Sequence, residues 1–311
     1  MGSLKAKAYV MAKTLAIFGL AIFATTVNAN VPQSGNEGPT TLRPFEFSIL
    51  SLNAFLLPRP WFRTDQVFRA HRLVNHLSGY DAIVFQELFD DKAREVLLLG
   101  IAEEYPYSTK VLGREDTLIR QDGGVVIVSR WPIEQEHEMT FGAICKAQDC
   151  LADKGVLYAE ITKRSRSYHL FGIHAQSDFS GDAARVREDQ FQLFHSFVTA
   201  QTISHQDPII LAGDFNVDCN VDSEFQRMLE LLDAQVIEPC SGQVTWDGTN
   251  NMLVDGESHQ FLDYVLISKK HLQPLMSRFD VLPLRSELYA KSDLSDHYAV
   301  SGQFVFHPEI R

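Results

Sequence analysis

Apolar residues along this chain come mainly in short runs bounded by polar or turn-forming residues, the pattern of β-strands. The runs read FEFSILSLNAF, DAIVFQE, GGVVIVSRWPI, GVLYAEIT, YHLFGIHA, PIILAGDFN, FLDYVLIS and YAVSGQFVF. In the last of these, from Tyr298 onward, apolar positions alternate with small or polar ones at the period of a half-buried strand. Three stretches between the runs carry helical spacing instead: Val67, Ala70, Val74 and Leu77; Ala93, Val96, Leu97 and Gly100; and Phe191, Phe194, Phe197 and Val198. The segment Asn30 to Arg43, NVPQSGNEGPTTLR, is rich in Pro, Gly, Ser, Thr and Asn and reads as a linker. No comparable break follows it, so residues 44–308 are predicted to form one domain of many strands with helices outside.

Ahead of the linker, Lys5, Lys7 and Lys13 precede the apolar run TLAIFGLAIFATT and a small-residue ending at Ala29. That is the layout of a cleavable secretory leader over residues 1–29. The run is shorter than the roughly 20 residues that span a bilayer, and no later stretch is long enough, so no transmembrane anchor is expected after cleavage. The mature protein is then expected outside the cytoplasm, extracellular or periplasmic. There the four cysteines, Cys145, Cys150, Cys219 and Cys240, favour disulfides, and proximity suggests Cys145 with Cys150 and Cys219 with Cys240. Sequence alone leaves all three pairings open.

Composition changes the picture on one point, the partner. Removing residues 1–29 takes away three lysines and no acids, moving the formal charge from −12 to −15. A chain so acidic lacks the basic footprint of nucleic-acid binding, so no nucleic-acid partner is expected. A secreted nuclease stays as an alternative, because a local basic groove can sit within an acidic total.

The polar residues at the run ends carry the candidate chemistry. Asn53 ends SILSLN, Glu87 ends AIVFQE, His174 ends LFGIH, and Asp214 and Asn216 close IILAGDFN. Asp263 interrupts FLDYVLIS, and Asp296 and His297 stand just before the last strand. Each alone fits an ordinary turn. Together, Glu87, Asn53 and Asp296 make an oxygen-rich set suited to magnesium, and His174 and His297 can act as acid and base near neutral pH. Asp263 and Asp214 can orient a histidine or a water, and Asn216 can donate to a phosphoryl oxygen. The inventory suits metal-assisted attack of water on a phosphodiester. Neither G-x-S-x-G nor G-x-x-x-x-G-K-[ST] is present, so the signatures of serine acyl transfer and of a P-loop are missing.

In order along the chain, Asn53, the Gln86–Glu87 pair, the G-D-x-N of Gly213 to Asn216, the L-D-Y of Leu262 to Tyr264 and the S-D-H of Ser295 to His297 resemble the endonuclease/exonuclease/phosphatase superfamily. The segments QELFDD, QDGGVVIVSRWPI, DCLADKGVLYAEI, TWDGTNN and LSDHYAV resemble more closely its neutral sphingomyelinase and bacterial sphingomyelinase C family. That resemblance implies an α/β fold, a four-layered α-β-β-α sandwich of two mainly antiparallel sheets with outer helices. It also implies a sphingomyelin phosphodiesterase that releases ceramide and phosphocholine at a membrane surface with magnesium, or with manganese or cobalt in its place. It makes Glu87 the central metal ligand, assisted by Asn53 and Asp296, and His297 the base or a further ligand, oriented by Asp263. Asp214 then positions the water, Asn216 steadies the phosphate, His174 donates to the phosphate or leaving oxygen, and Lys154 stands beside the site five residues after Asp149.

The resemblance further implies a peripheral metal site on Asp91, Gln121 and Asp122, with Gln121 where a carboxylate is often found. Bacterial members carry an aromatic hairpin before the S-D-H; here VLPLRSELYAK (Val281 to Lys291) has Tyr289 as its one aromatic. Leu282, Leu284 and Leu288 are candidates to enter an interface in its stead, as are Trp61 and Phe62 in FLLPRPWFR (Phe55 to Arg63). The alternatives to sphingomyelin are another choline phospholipid, an inositol phosphate or nucleic acid on the same fold, and a non-catalytic binding module.

Overall fold

The computed structural model describes residues 45–59, 61–113, 121–177, 181–240 and 242–307, so the expected leader and linker lie outside the described residues. Strand β1 (Phe45–Asn53) leads through helix α1 (Gln66–Leu73) to β2 (Ala82–Gln86) and helix α2 (Asp91–Ile101). Strands β3 (Tyr107–Ser108), β4 (Val126–Ser129), β5 (Ile133–Thr140), β6 (Gly155–Lys163) and β7 (Arg166–His174) follow. Helix α3 (Gly181–Ala200) carries the chain to β8 (Ile209–Asp214), and α4 (Asp222–Leu231) to β9 (Ala234–Val236). A short hairpin, β10 (Trp246–Asp247) and β11 (His259–Gln260), precedes β12 (Asp263–Ser268), β13 (Met276–Leu282) and β14 (Ala299–Phe306).

Two six-stranded sheets result, ordered β13-β14-β1-β2-β4-β3 and β5-β6-β7-β8-β12-β9. The alternation within each strand builds the layers. Ile49, Ala82, Val84, Leu157, Ala159, Leu170, Ile210 and Val265 point between the sheets into one apolar cluster. Their neighbours Leu50, Leu52, Ile83 and Phe85 face α1 and α2. Tyr158, Phe171, Leu211 and Leu266 join the cluster that contains Phe191, Phe194, Phe225 and Met228 of α3 and α4. Both faces of the central strands are therefore buried, each large apolar side chain contributing roughly 1.5–3 kcal/mol, and the four-layered α-β-β-α sandwich follows. At Gly172 a Cβ would lie 2.7 Å from Val84 Cγ1, so a larger residue would push the sheets apart.

The run GGVVIVSRWPI is divided: β4 ends at Ser129 in one sheet and Ile133 starts β5 in the other, with Pro132, which has no ladder donor, at the crossing. Strand β5, IEQEHEMT, is half exposed and charged because it is an edge, so it has no apolar run to betray it. Edge strand β13 escapes the pattern for the same reason.

Each sheet holds one parallel pair, β1 with β2 and β7 with β8, bridged by α1 and α3; the other pairs are antiparallel. Parallel strands end together, so Asn53 lies beside Gln86 and His174 beside Asp214 in register. Strand β12 runs antiparallel to β8 and begins where β8 ends, placing Asp263 opposite Asp214. Strand β14 runs antiparallel to β1, which brings His297, two residues before it, to the same end.

Candidate active site

The residues at this common end form a buried polar floor. Asn53 donates from Nδ2 to Asp214 Oδ2 at 3.0 Å and accepts from the Phe55 amide at 3.1 Å through Oδ1. Asp214 Oδ1 accepts from the Asn216 amide at 2.9 Å, and Asn216 Nδ2 donates to the Ala175 carbonyl at 3.2 Å. Ser295 Oγ ties the S-D-H segment to β1 by donating to the Asn53 carbonyl at 2.6 Å. Glu87 and Asn216 hold left-handed backbone angles, φ 55° and 52°. That conformation is uncommon for a glutamate and is the kind of strain that gathers at functional sites.

Glu87 keeps one oxygen unfilled. Its Oε1 lies 3.8 Å from His174 Nε2, while its buried Oε2 has no hydrogen-bond partner, and burial raises its pKa. Burial likewise pushes Asp296 up to about 7 and Asp214 up to about 6. So many carboxyl groups in one dry space favour a cation among them.

His297 and His174 are tuned in opposite directions. Burial works to depress His297, yet Asp263, Asp214 and Asp296 outweigh it and raise the imidazole well above its ordinary value. Its Nδ1 is bonded to Asp263 Oδ2 at 2.8 Å, leaving Nε2 facing Asp214 Oδ2 at 3.8 Å. His174 is held well below its ordinary value by burial and by the neighbouring Lys154 and His297 cations. Lys154 Nζ donates to His174 Nε2 at 3.0 Å, to the Ala175 carbonyl at 2.9 Å and to Asp149 Oδ2 at 3.0 Å. Because an ammonium only donates, His174 accepts at Nε2 and carries its proton at Nδ1, which has no partner.

Trp246 was not among the expected site residues. Its backbone bridges His297 and its ring meets the imidazole edge to face, centroids 5.0 Å apart. The segment TWDGTNN is visible in the sequence, but the contact depends on a pairing across 51 positions, which no local pattern encodes. Glu87, His174, Ser177, Asp214, Asn216, Trp246, Asp296 and His297 line a cavity of about 180 Å³. Glu87, His174 and Ser177 also border a second, larger cleft of about 460 Å³. Its walls are apolar: Leu57, Pro58, Trp61 and Phe62 on one side, Leu151 and Ala152 on the other, with Phe89 between. The second wall directly follows the Cys145–Cys150 disulfide; the other disulfide joins Cys219 to Cys240.

Two expectations lie apart from this floor. Asp91 and Asp122 are bridged by the guanidinium of Arg94, and the Gln121 backbone pairs with Leu151 and Asp153. In the Val281 to Lys291 segment, Leu284 and Tyr289 turn inward and Leu282 packs partly against the helix-side core, correcting the reading of these leucines as a group that enters an interface. Leu288 alone among them is exposed. Trp61 and Phe62 are exposed at 69% and 47%.

Fold and site define a class: a DNase I-like α/β sandwich with a carboxylate and histidine centre outside the carboxyl ends of its central strands. The chain belongs to the Endonuclease/Exonuclease/phosphatase family, whose sequence profile matches residues 53–297, and within it to the group of bacterial sphingomyelinases C. Sphingomyelinase C of Leptospira interrogans is 34% identical, over 83% of this chain and 51% of its own length, so the chain spans about half that relative. Sphingomyelinase C of Bacillus cereus is 30% identical, over 91% of this chain and 94% of its own. A Staphylococcus aureus beta toxin mutant solved with bound magnesium ions is similar in structure, with a TM-score of 0.77 at 28% identity, covering 83% of this chain and 99% of that one.

Proposed function

We propose that the chain is a secreted, divalent-cation-dependent phosphodiesterase that hydrolyses sphingomyelin to ceramide and phosphocholine. The observation that carries the reading is the buried, unpartnered Oε2 of Glu87 on the border of two cavities, one lined by acids and histidines, the other by apolar side chains. A phosphodiester bearing an apolar body and a polar head matches that division.

Glu87, with Asn53 and Asp296, is the place for magnesium. Asp214, Asp263 and His297 also offer three ligand atoms within 4.8 Å of one another. Asp214 already accepts from Asn53 and from the Asn216 amide, and Asp263 Oδ2 is bonded to His297 Nδ1, whereas Glu87 Oε2 has no hydrogen-bond partner. When bound, the cation supplies positive charge to the phosphoryl and leaving oxygens and offsets the carboxylates that otherwise hold His297 protonated.

The protein's own groups then divide the work. Neutral His297 takes a proton at Nε2 from the attacking water, and the Asp263 carboxylate, bonded at Nδ1, stabilises the imidazolium that forms. Asp214, facing the same Nε2, orients that water. Asn216 steadies the phosphoryl group, and His174, whose Nε2 lies 3.8 Å from Glu87 Oε1 and 3.7 Å from Asp214 Oδ2, acts with Lys154 as the donor to the phosphate or leaving oxygen. Lys154 fixes the tautomer of His174 and is itself fixed by Asp149. Residues 1–29 act as the secretory leader and 30–43 as a linker to a catalytic domain over 44–308.

The test is phosphocholine release from sphingomyelin liposomes with magnesium, with and without chelator, beside phosphatidylcholine liposomes and DNA. Chelator-sensitive release from sphingomyelin supports the reading. Cleavage of DNA with no phosphocholine released overturns it.

A further inference from the structure

Seven residues after Glu87, on the first turns of α2, Arg94 reaches back to the corner where residues 88–91 meet 121–124. Its Nη1 donates to the Leu88 carbonyl at 2.6 Å and to Asp122 Oδ2 at 2.9 Å, and its Nη2 is bonded to Asp91 Oδ1. One carbonyl and two carboxylates are a donor set for a hard divalent cation. Here a guanidinium fills it. The remaining Asp122 oxygen, Oδ1, accepts the Gly124 amide at 3.0 Å.

The corner also sets both walls of the apolar cleft. Asp90, the N-cap of α2, accepts from Ala93, and it holds Arg59 through Nε at 2.6 Å and Nη2 at 3.0 Å, fixing the loop that carries Trp61 and Phe62. On the other side, the Gln121 amide donates to the Leu151 carbonyl at 2.7 Å and the Asp153 amide to the Gln121 carbonyl at 3.1 Å, fixing the Leu151 wall. Arg94 joins the two halves of this frame across Leu88 and Asp122.

We propose that Arg94 is the resident cation of this corner, replacing a peripheral metal ion, so that the apolar cleft keeps its shape without a divalent cation. Arginine is suited to the role because its planar fork is charged at all working pH values and reaches several oxygens at once. The count of one remaining site rests on the reading of Glu87 as the place of the magnesium; the role of Arg94 does not.

Manganese binding, measured by calorimetry on the whole protein, tests this. The unmodified protein takes up one equivalent, and Asp122→Asn leaves that stoichiometry unchanged, because no ion sits at Asp122. Arg94→Ala uncovers the oxygens and takes up a second equivalent, which Arg94→Ala combined with Asp122→Asn loses again. Binding to sphingomyelin vesicles is insensitive to chelator in the unmodified protein and becomes magnesium-dependent in Arg94→Ala. Loss of one equivalent on Asp122→Asn alone overturns the proposal, and this arm stands even if Arg94→Ala fails to fold. A folded Arg94→Ala protein that gains no second equivalent overturns it too. If instead Glu87→Ala leaves the single equivalent in place, the assignment of the magnesium fails while the role of Arg94 is untouched.

Discussion

Strand β2 is flanked by two carboxylates, the buried Asp81 before it and the largely buried Glu87 after it, and the two have opposite fates. Asp81 is saturated: Oδ2 accepts from the Ser48 amide at 2.9 Å, Ser48 Oγ at 3.2 Å and Lys163 Nζ at 2.7 Å, and Oδ1 from Trp131 Nε1 at 2.7 Å. It bolts the two sheets together, since Ser48 lies in β1 and Lys163 in β6 of the other sheet. Glu87 directly follows the same five-residue strand, with one oxygen unpaired among other acids. Burial alone therefore does not mark a site. What separates a structural carboxylate from one poised for a cation is how many of its lone pairs the protein has already filled.

The strongest challenge to this contrast is Asp81→Ala. Removing one partner of a buried ion pair strands the Lys163 ammonium, and the expected loss is about 3–5 kcal/mol of stability. Chemical denaturation should show it, with turnover per folded molecule retained. A stable but inactive variant would place Asp81 in the chemistry and dissolve the comparison.

At the other end, Glu87→Ala and His297→Ala should each lower turnover by roughly 10² to 10³, equivalent to about 2.7–4 kcal/mol of barrier. Their unfolding midpoints should stay close to that of the unmodified protein. Near-normal turnover in either one would remove it from the mechanism.

Magnesium at about a hundred times its dissociation constant should stabilise the protein by about 2.7 kcal/mol. Burial raises Asp296 to about 7 and lifts Glu87 above its ordinary value, so at low pH protons compete with the cation for these carboxyl groups. The magnesium-dependent shift in melting temperature should thus be larger at about pH 8 than at about pH 5.5. Asp81→Ala should keep that shift and Glu87→Ala should lose it. An equal shift at both pH values would mean that the ion binds away from these acids.

The smallest effect concerns the cleft beside Glu87. Trp61→Ala with Leu151→Ala removes two exposed apolar side chains and should raise KM for vesicles roughly tenfold, with a much smaller change for a dispersed short-chain substrate. Equal losses on both substrates would argue against a lipid-facing role for these walls.

Much of the site could be read along the chain because its members close strands. Asn53, Glu87, His174 and Asp214 each end an apolar run, and parallel pairing collects such ends at one edge by geometry. Edge strands β5 and β13 were silent, since a strand with a solvated face needs no apolar run. Leu284 and Tyr289 look like surface apolar residues in sequence and are core in the fold, because Leu294 and Leu284 pair across the turn and draw both inward.

Sequence by itself determined the strand rhythm, the polar residues that close the strands, the kind of chemistry they suit and the family they resemble. These are properties of residues close together, governed by backbone period and side-chain type. Only the tertiary structure decided which carboxylates are filled and which are left open. Asp81 meets Lys163 across 82 positions, Asp122 meets Arg94 across 28, and His297 meets Asp263 across 34. Such partners are brought together by the packing of whole sheets, and the same aspartate or glutamate becomes a bolt or a ligand according to who arrives.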